Sequence, residues 1–88
     1  MVEKNVIVRN RAGIHARPAA LLVETANLFT CEILIEKENN SINAKSIMGV
    51  ITLGATYNTE LKILANGSDE NEALEALSKL FENRFEEV

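Results

Sequence analysis

The sequence predicts an α+β fold: an open-faced β-sandwich in which a four-stranded antiparallel sheet carries three helices on one face, in the order βαββαβα. Short runs around Val6, Ile33, Ile35, Leu61 and Ile63 alternate apolar and polar residues, the period of strands with one covered face. Two longer stretches, Ala19/Leu22/Val23/Ala26 and Ala73/Leu77/Leu80/Phe81, recur at helical spacing instead, each an apolar stripe that needs a surface to cover it. Glycine, asparagine and aspartate clusters separate the runs and set where each ends.

The first strand comes from residues 5–8, with Val6 and Val8 on one face and Asn5 and Ile7 on the other. Residues 10–13 break that pattern, and Gly13 offers a backbone angle that a side chain would resist. Pro18 then fixes the start of the first helix. Proline is tolerated in a first turn, where its missing N–H has no acceptor to lose, so the helix begins near Ala16 with His15 at its cap. Residues 32–37 alternate around Ile33 and Ile35 as a second strand, and a Glu38-Asn39-Asn40 turn leads into a short third strand through Ile42. Ser46 precedes residues 47–53, which predict a short helix capped by the serine hydroxyl, with Val50 and Leu53 inward. Tyr57-Asn58 turns the chain into the last strand, residues 60–65. Asp69 and Glu72 have the Asp-x-x-Glu spacing of a capping box and open the third helix.

A chain of 88 residues, 47% apolar and 25% charged, has the composition of a single globular domain, 1–88. Cys31 is the only cysteine, so no internal disulfide forms, which fits a reducing compartment and a cytoplasmic location. Residues 1–5 carry charges where a signal peptide needs an apolar run, and no membrane-spanning stretch occurs. The net charge of −4 argues against nucleic acid as a partner, since that affinity comes from a surplus of Lys and Arg. The charge is unevenly placed. Lys4, Arg9, Arg11 and Arg17 face a single acid, Glu3, at the front, while Asp69, Glu70, Glu72, Glu75, Glu82, Glu86 and Glu87 crowd the end.

His15, the only histidine, therefore stands at a helix N-terminus, where unpaired N–H groups and the helix dipole favour an anion. A phosphoryl group on its ring would present negative oxygens to those amides, and Arg17, two residues on, offers a guanidinium to them. Other chemistries lack parts. A structural metal site takes four ligands, and His15 and Cys31 are the only soft ones; no metal or other cofactor is expected. A Ser or Cys triad would need the one histidine as its base, with no spacing that sets a nucleophile beside it.

The string Gly13-Ile14-His15-Ala16-Arg17-Pro18-Ala19 resembles the active-site motif of the HPr family, histidine-containing phosphocarriers of the bacterial phosphotransferase system. A second string, Lys45-Ser46-Ile47-Met48-Gly49-Val50, resembles the family's regulatory serine segment, and the element order agrees end to end. The resemblance implies that His15 accepts a phosphoryl group on Nδ1 from enzyme I, itself charged by phosphoenolpyruvate, and passes it to the IIA domain of a sugar permease. Such a carrier is a substrate of enzymes and not itself an enzyme. Arg17 would steady the phosphoryl group in transit. Ser46 would be the target of an HPr kinase/phosphorylase, giving a poor carrier that acts with a transcriptional regulator. Ala12 departs from members with Ser or Asn there, which leaves capping to backbone groups.

Docking of several partners calls for an exposed apolar patch. With Val50 and Leu53 inward, Ile47, Met48 and Ile51 point out, and Ala16, Ala20, Glu24 and Asn27 lie on the face of the first helix away from its core stripe. These residues are expected to ring His15, on a monomer. Two other readings remain: a regulatory module that signals in carbon or nitrogen control without feeding sugar transport, and a ligand- or nucleic-acid-binding α+β domain. Acidic net charge and a 5% aromatic content count against the second.

Overall fold

The computed structural model describes residues 1–86, with the side chain of Glu86 left aside and Glu87 of the acidic C-terminal group outside the described residues. Four strands, β1 (Val2–Ile7), β2 (Glu32–Lys37), β3 (Asn40–Asn43) and β4 (Glu60–Asn66), and three helices, α1 (Ala16–Ala26), α2 (Ile47–Leu53) and α3 (Glu70–Glu82), follow in the order βαββαβα. A 3₁₀ turn at Arg84–Glu86 ends the described chain. The sheet order is β1-β4-β2-β3, antiparallel throughout.

Register follows from which residues must be covered. Val6 pairs with Leu61, Ile35 with Ile63 and Ile33 with Ala65, so the alternating apolar residues of three strands share one face. All are buried there with Ala19, Leu22 and Ala26 of α1, Val50 of α2 and Ala73, Leu77 and Phe81 of α3. A one-residue slip would turn that whole set to water, which is why the pairing is specified. Val23 and Leu80 flank the core and are half-buried, while Pro18 and Ser78 are buried; the Ser78 hydroxyl donates to the Leu74 carbonyl at 2.7 Å.

Two elements differ from the expectation. β1 spans residues 2–7, not 5–8, because its edge pairing to β4 runs back to Val2; Val8 follows it, fully buried, exchanging main-chain bonds with Thr59 (2.9 Å) and Asn58 (2.8 Å). The Asp69–Glu72 capping box does not form. Asp69 stands at the α3 N-cap without a side-chain cap bond, because its carboxylate crosses to the loop ahead of β2 and accepts the Thr30 and Cys31 N–H groups at 2.9 and 3.0 Å. Glu70 reaches back in place of Glu72, accepting the Gly67 N–H at 3.1 Å.

These bonds predict that the fold loses stability in acid. The Thr30 N–H holds the Asp69 carboxyl below its usual value, outweighing partial burial, with Cys31 adding to it; the Gly67 N–H does the same for Glu70. The Cys31 thiol moves the other way, pushed up by burial first and by the neighbouring Asp69 carboxylate second. A carboxyl with a lowered folded-state pKa stabilises the fold above its unfolded value and loses that contribution as pH falls through the folded one. The melting temperature should therefore fall as pH drops below about 4, near the ordinary carboxylate values of 3.8 and 4.5. Asp69→Asn should be less stable at pH 7 and lose less on acidification. A parent and variant that fall in parallel would show that Asp69 is not the group responsible.

Candidate functional site

The site begins in the loop between β1 and α1. Gly13 adopts φ 76, and a Cβ there would lie 2.8 Å from the Ala55 carbonyl oxygen, so only glycine lets the loop press this closely on the segment after α2. The contact is fastened by the Ile14 N–H, which donates to the Ala55 carbonyl at 2.9 Å, and Ile14 itself is buried. His15 comes next as the N-cap of α1, with extended backbone, an exposed side chain and no side-chain cap bond.

The helix start behaves as the proline predicts. The His15 carbonyl accepts the Ala19 N–H at 2.9 Å, the first bond of the helix. The N–H groups of Ala16 and Arg17 precede any possible intrahelical acceptor, and Pro18 has none to satisfy. An exposed imidazole thus belongs to the cap of a helix whose first two N–H groups have no intrahelical acceptor, with an exposed guanidinium two residues on. Arg17 borders a shallow cleft of about 240 Å³ shared with Ala20, Leu21, Glu24 and Phe85. The donors and the cation suit an oxyanion such as a phosphoryl group; neutral imidazole supplies the lone pair to bind it.

Ser46 caps α2, its hydroxyl accepting the Gly49 N–H at 3.1 Å. Two bonds set how α2 lies against α1: at one end Asn27 Nδ2 donates to the Lys45 carbonyl at 3.3 Å, and at the other Ile14 bonds Ala55. The two helices are therefore antiparallel neighbours, with Ser46 beside the end of α1 and His15 at its start. Along α1's 11 residues that separation is on the order of 15 Å.

Ile47, Met48 and Ile51 are exposed to 40, 66 and 42%, while Val50 and Leu53 are buried, as their spacing requires. Ala16, Glu24 and Asn27 of α1 are exposed as well. Ala20 is half-buried against the Arg17 cleft, and Asn27 is engaged as the bridge to Lys45, with a second bond to the Val23 carbonyl. The sequence reading missed Leu28, 78% exposed just past the end of α1, and Tyr57, 48% exposed in the loop that receives Gly13. Leu28 had a signal: a large apolar residue two positions beyond Ala26, off the inward stripe. It also missed Asn10, buried in the loop before the histidine, which nothing in its spacing marked.

The chain matches the family model described as PTS HPr component phosphorylation site over residues 2–83. It is 49% identical over 87 residues to the phosphocarrier protein HPr of Treponema pallidum, covering 99% of each chain. The crystal structure of HPr from Thermoanaerobacter tengcongensis superposes with a TM-score of 0.97 at 46% identity, covering 100% of this chain and 99% of that one. Crh, a catabolite-repression protein of Bacillus subtilis solved as a dimer with a swapped domain, gives a TM-score of 0.76 at 45% identity over 96% of this chain and 97% of that one. A family model covering nearly the whole chain, a full-length relative and a shared fold agree, and the protein belongs to the HPr phosphocarrier family of the phosphotransferase system.

Proposed function

We propose that this protein carries phosphoryl groups between phospho-enzyme I and the IIA domains of sugar permeases in the cytoplasm, with His15 as acceptor and Arg17 steadying the group. The observation that carries this is the exposed imidazole at the open N-terminus of α1, with no side-chain cap bond to occupy it. In each transfer the ring nitrogen lone pair forms the N–P bond while the bond holding phosphorus in the donor breaks and its electron pair stays with the donor. The second ring nitrogen keeps its proton throughout. The phosphoryl oxygens then face the Ala16 and Arg17 N–H groups and the guanidinium.

Partners dock on the strip of Ile47, Met48 and Ile51 with the exposed face of α1. Methionine adapts to surfaces of different shape, which a carrier with several partners needs. A kinase that phosphorylates Ser46 would add charge to the docking strip, on the order of 15 Å from His15 and beyond the Debye length of about 8 Å at physiological salt. Phosphoserine there therefore acts by weakening docking, not by repelling the transferred group directly. The functional unit is the monomer, which leaves the strip open.

A regulatory role like that of Crh is the second reading, favoured by the serine at the α2 cap and by the Crh match. Incubation with phosphoenolpyruvate and purified enzyme I separates the two. One acid-labile phosphoryl group, seen by intact mass and handed on to a IIA domain, is the expected result. No adduct on His15, with Ser46 still labelled by a kinase and ATP, would leave only the regulatory reading.

A further inference from the structure

Only two polar side chains are buried among the described residues, Asn10 and Ser78, and Ser78 is accounted for by its bond inside α3. Asn10 lies in the loop ahead of α1, 2% exposed, and grips Gly13 twice. Its backbone carbonyl accepts the Gly13 N–H at 3.0 Å, and its Nδ2 donates to the Gly13 carbonyl. Gly13 is the residue pressed against the Ala55 carbonyl, Ile14 is bonded to that carbonyl, and His15 follows. The Asn10 carboxamide also leaves its Oδ1 buried with no hydrogen-bond partner. A buried acceptor without a donor costs folding stability, so this side chain is a poor choice for stability alone. What it supplies is a fixed peptide plane two residues before the helix cap.

We infer that Asn10 is a positioning residue for phosphoryl transfer at His15: by holding the Gly13 carbonyl it fixes how the loop seats on Ala55, and so where the imidazole stands relative to the Ala16 and Arg17 N–H groups. Asn10 acts through Gly13 and touches neither the ring nor the phosphoryl group. The reach is sufficient, because a displacement of about 1 Å in a reacting group slows a step on the order of 100-fold. This inference rests on His15 being the acceptor.

Asn10→Ala removes the Nδ2 donor and the unpaired Oδ1 together, so it should fold, and Asn10→Ser serves if it does not. Both are assayed beside the parent for transfer from phospho-enzyme I. The expected result is a kcat about tenfold lower with KM for the carrier within twofold of the parent, because the docking strip is untouched. In the parent, hydrogen exchange should show an Asn10 Nδ2 proton exchanging at least tenfold more slowly than those of exposed Asn58. A kcat equal to the parent's, a change in KM alone, or equal exchange at the two asparagines would overturn the inference while leaving His15 as acceptor. A parent protein that takes no phosphoryl group on His15 would overturn both.

Discussion

His15→Ala should abolish acid-labile phosphorylation by enzyme I and phosphoenolpyruvate while the protein stays folded. The side chain is exposed and makes no cap bond, so its removal costs at most about 0.5 kcal/mol, or roughly 2–4 °C in melting temperature for a domain of this size. The loss of transfer is complete, since among the described residues no second imidazole exists to take the group. Arg17→Ala should give a graded loss, because the guanidinium strengthens binding of the oxyanion but forms no bond to phosphorus. The measurement is intact mass before and after mild acid, with a melting curve on the same sample. Persistent labelling of His15→Ala would remove His15 as the acceptor; a collapse in stability would mean the histidine is part of the fold.

The largest effect on stability is expected from Gly67→Ala. Gly67 adopts φ 152, and a Cβ there would lie 2.6 Å from the Cys31 Cβ and 2.8 Å from its Cα, atoms close to the backbone that cannot rotate aside. Backbone strain of roughly 1–3 kcal/mol and overpacking of roughly 1–3 kcal/mol combine to about 2–6 kcal/mol. A domain of this size has about 4–13 kcal/mol in all, so the variant should melt about 8 °C lower or more. Gly54→Ala is the control: it also has a left-handed angle, φ 64, but its Cβ would meet only the Thr52 carbonyl oxygen at 3.9 Å, so it should lose about 1 kcal/mol. Equal losses at the two glycines would show that the contact with Cys31 does not matter. The clash sits where three features meet, since Gly67 donates to Glu70 and the neighbouring Asp69 holds the Cys31 N–H.

How much of this was legible in the sequence varies with what each feature depends on. Where one residue's covalent geometry decides, as with Pro18 at the start of α1 or Ser46 at the cap of α2, the position was readable to the residue. Periodicity served equally well for β2 and β4 and for the outward set Ile47, Met48 and Ile51, because a seven-residue helix over a core has one way to face. Asp69 shows the limit. Its local spacing favoured a capping box, but two main-chain donors 38 and 39 positions away compete for the same carboxylate and win. Asn10 is the same case in reverse: a loop asparagine reads as solvated, yet in the fold it is buried and bonded to Gly13.

The sequence by itself determined the element order, the buried stripes and the histidine at a helix N-terminus, because each follows from side-chain period or from a single backbone constraint. Only the tertiary structure decided the strand order, the antiparallel seating of α2 along α1, and with it the distance from Ser46 to His15. It also decided the Gly13–Ala55 contact that seats the histidine loop. Those are relations between segments far apart in the chain, and local spacing carries no information about which distant donor or surface a residue will meet.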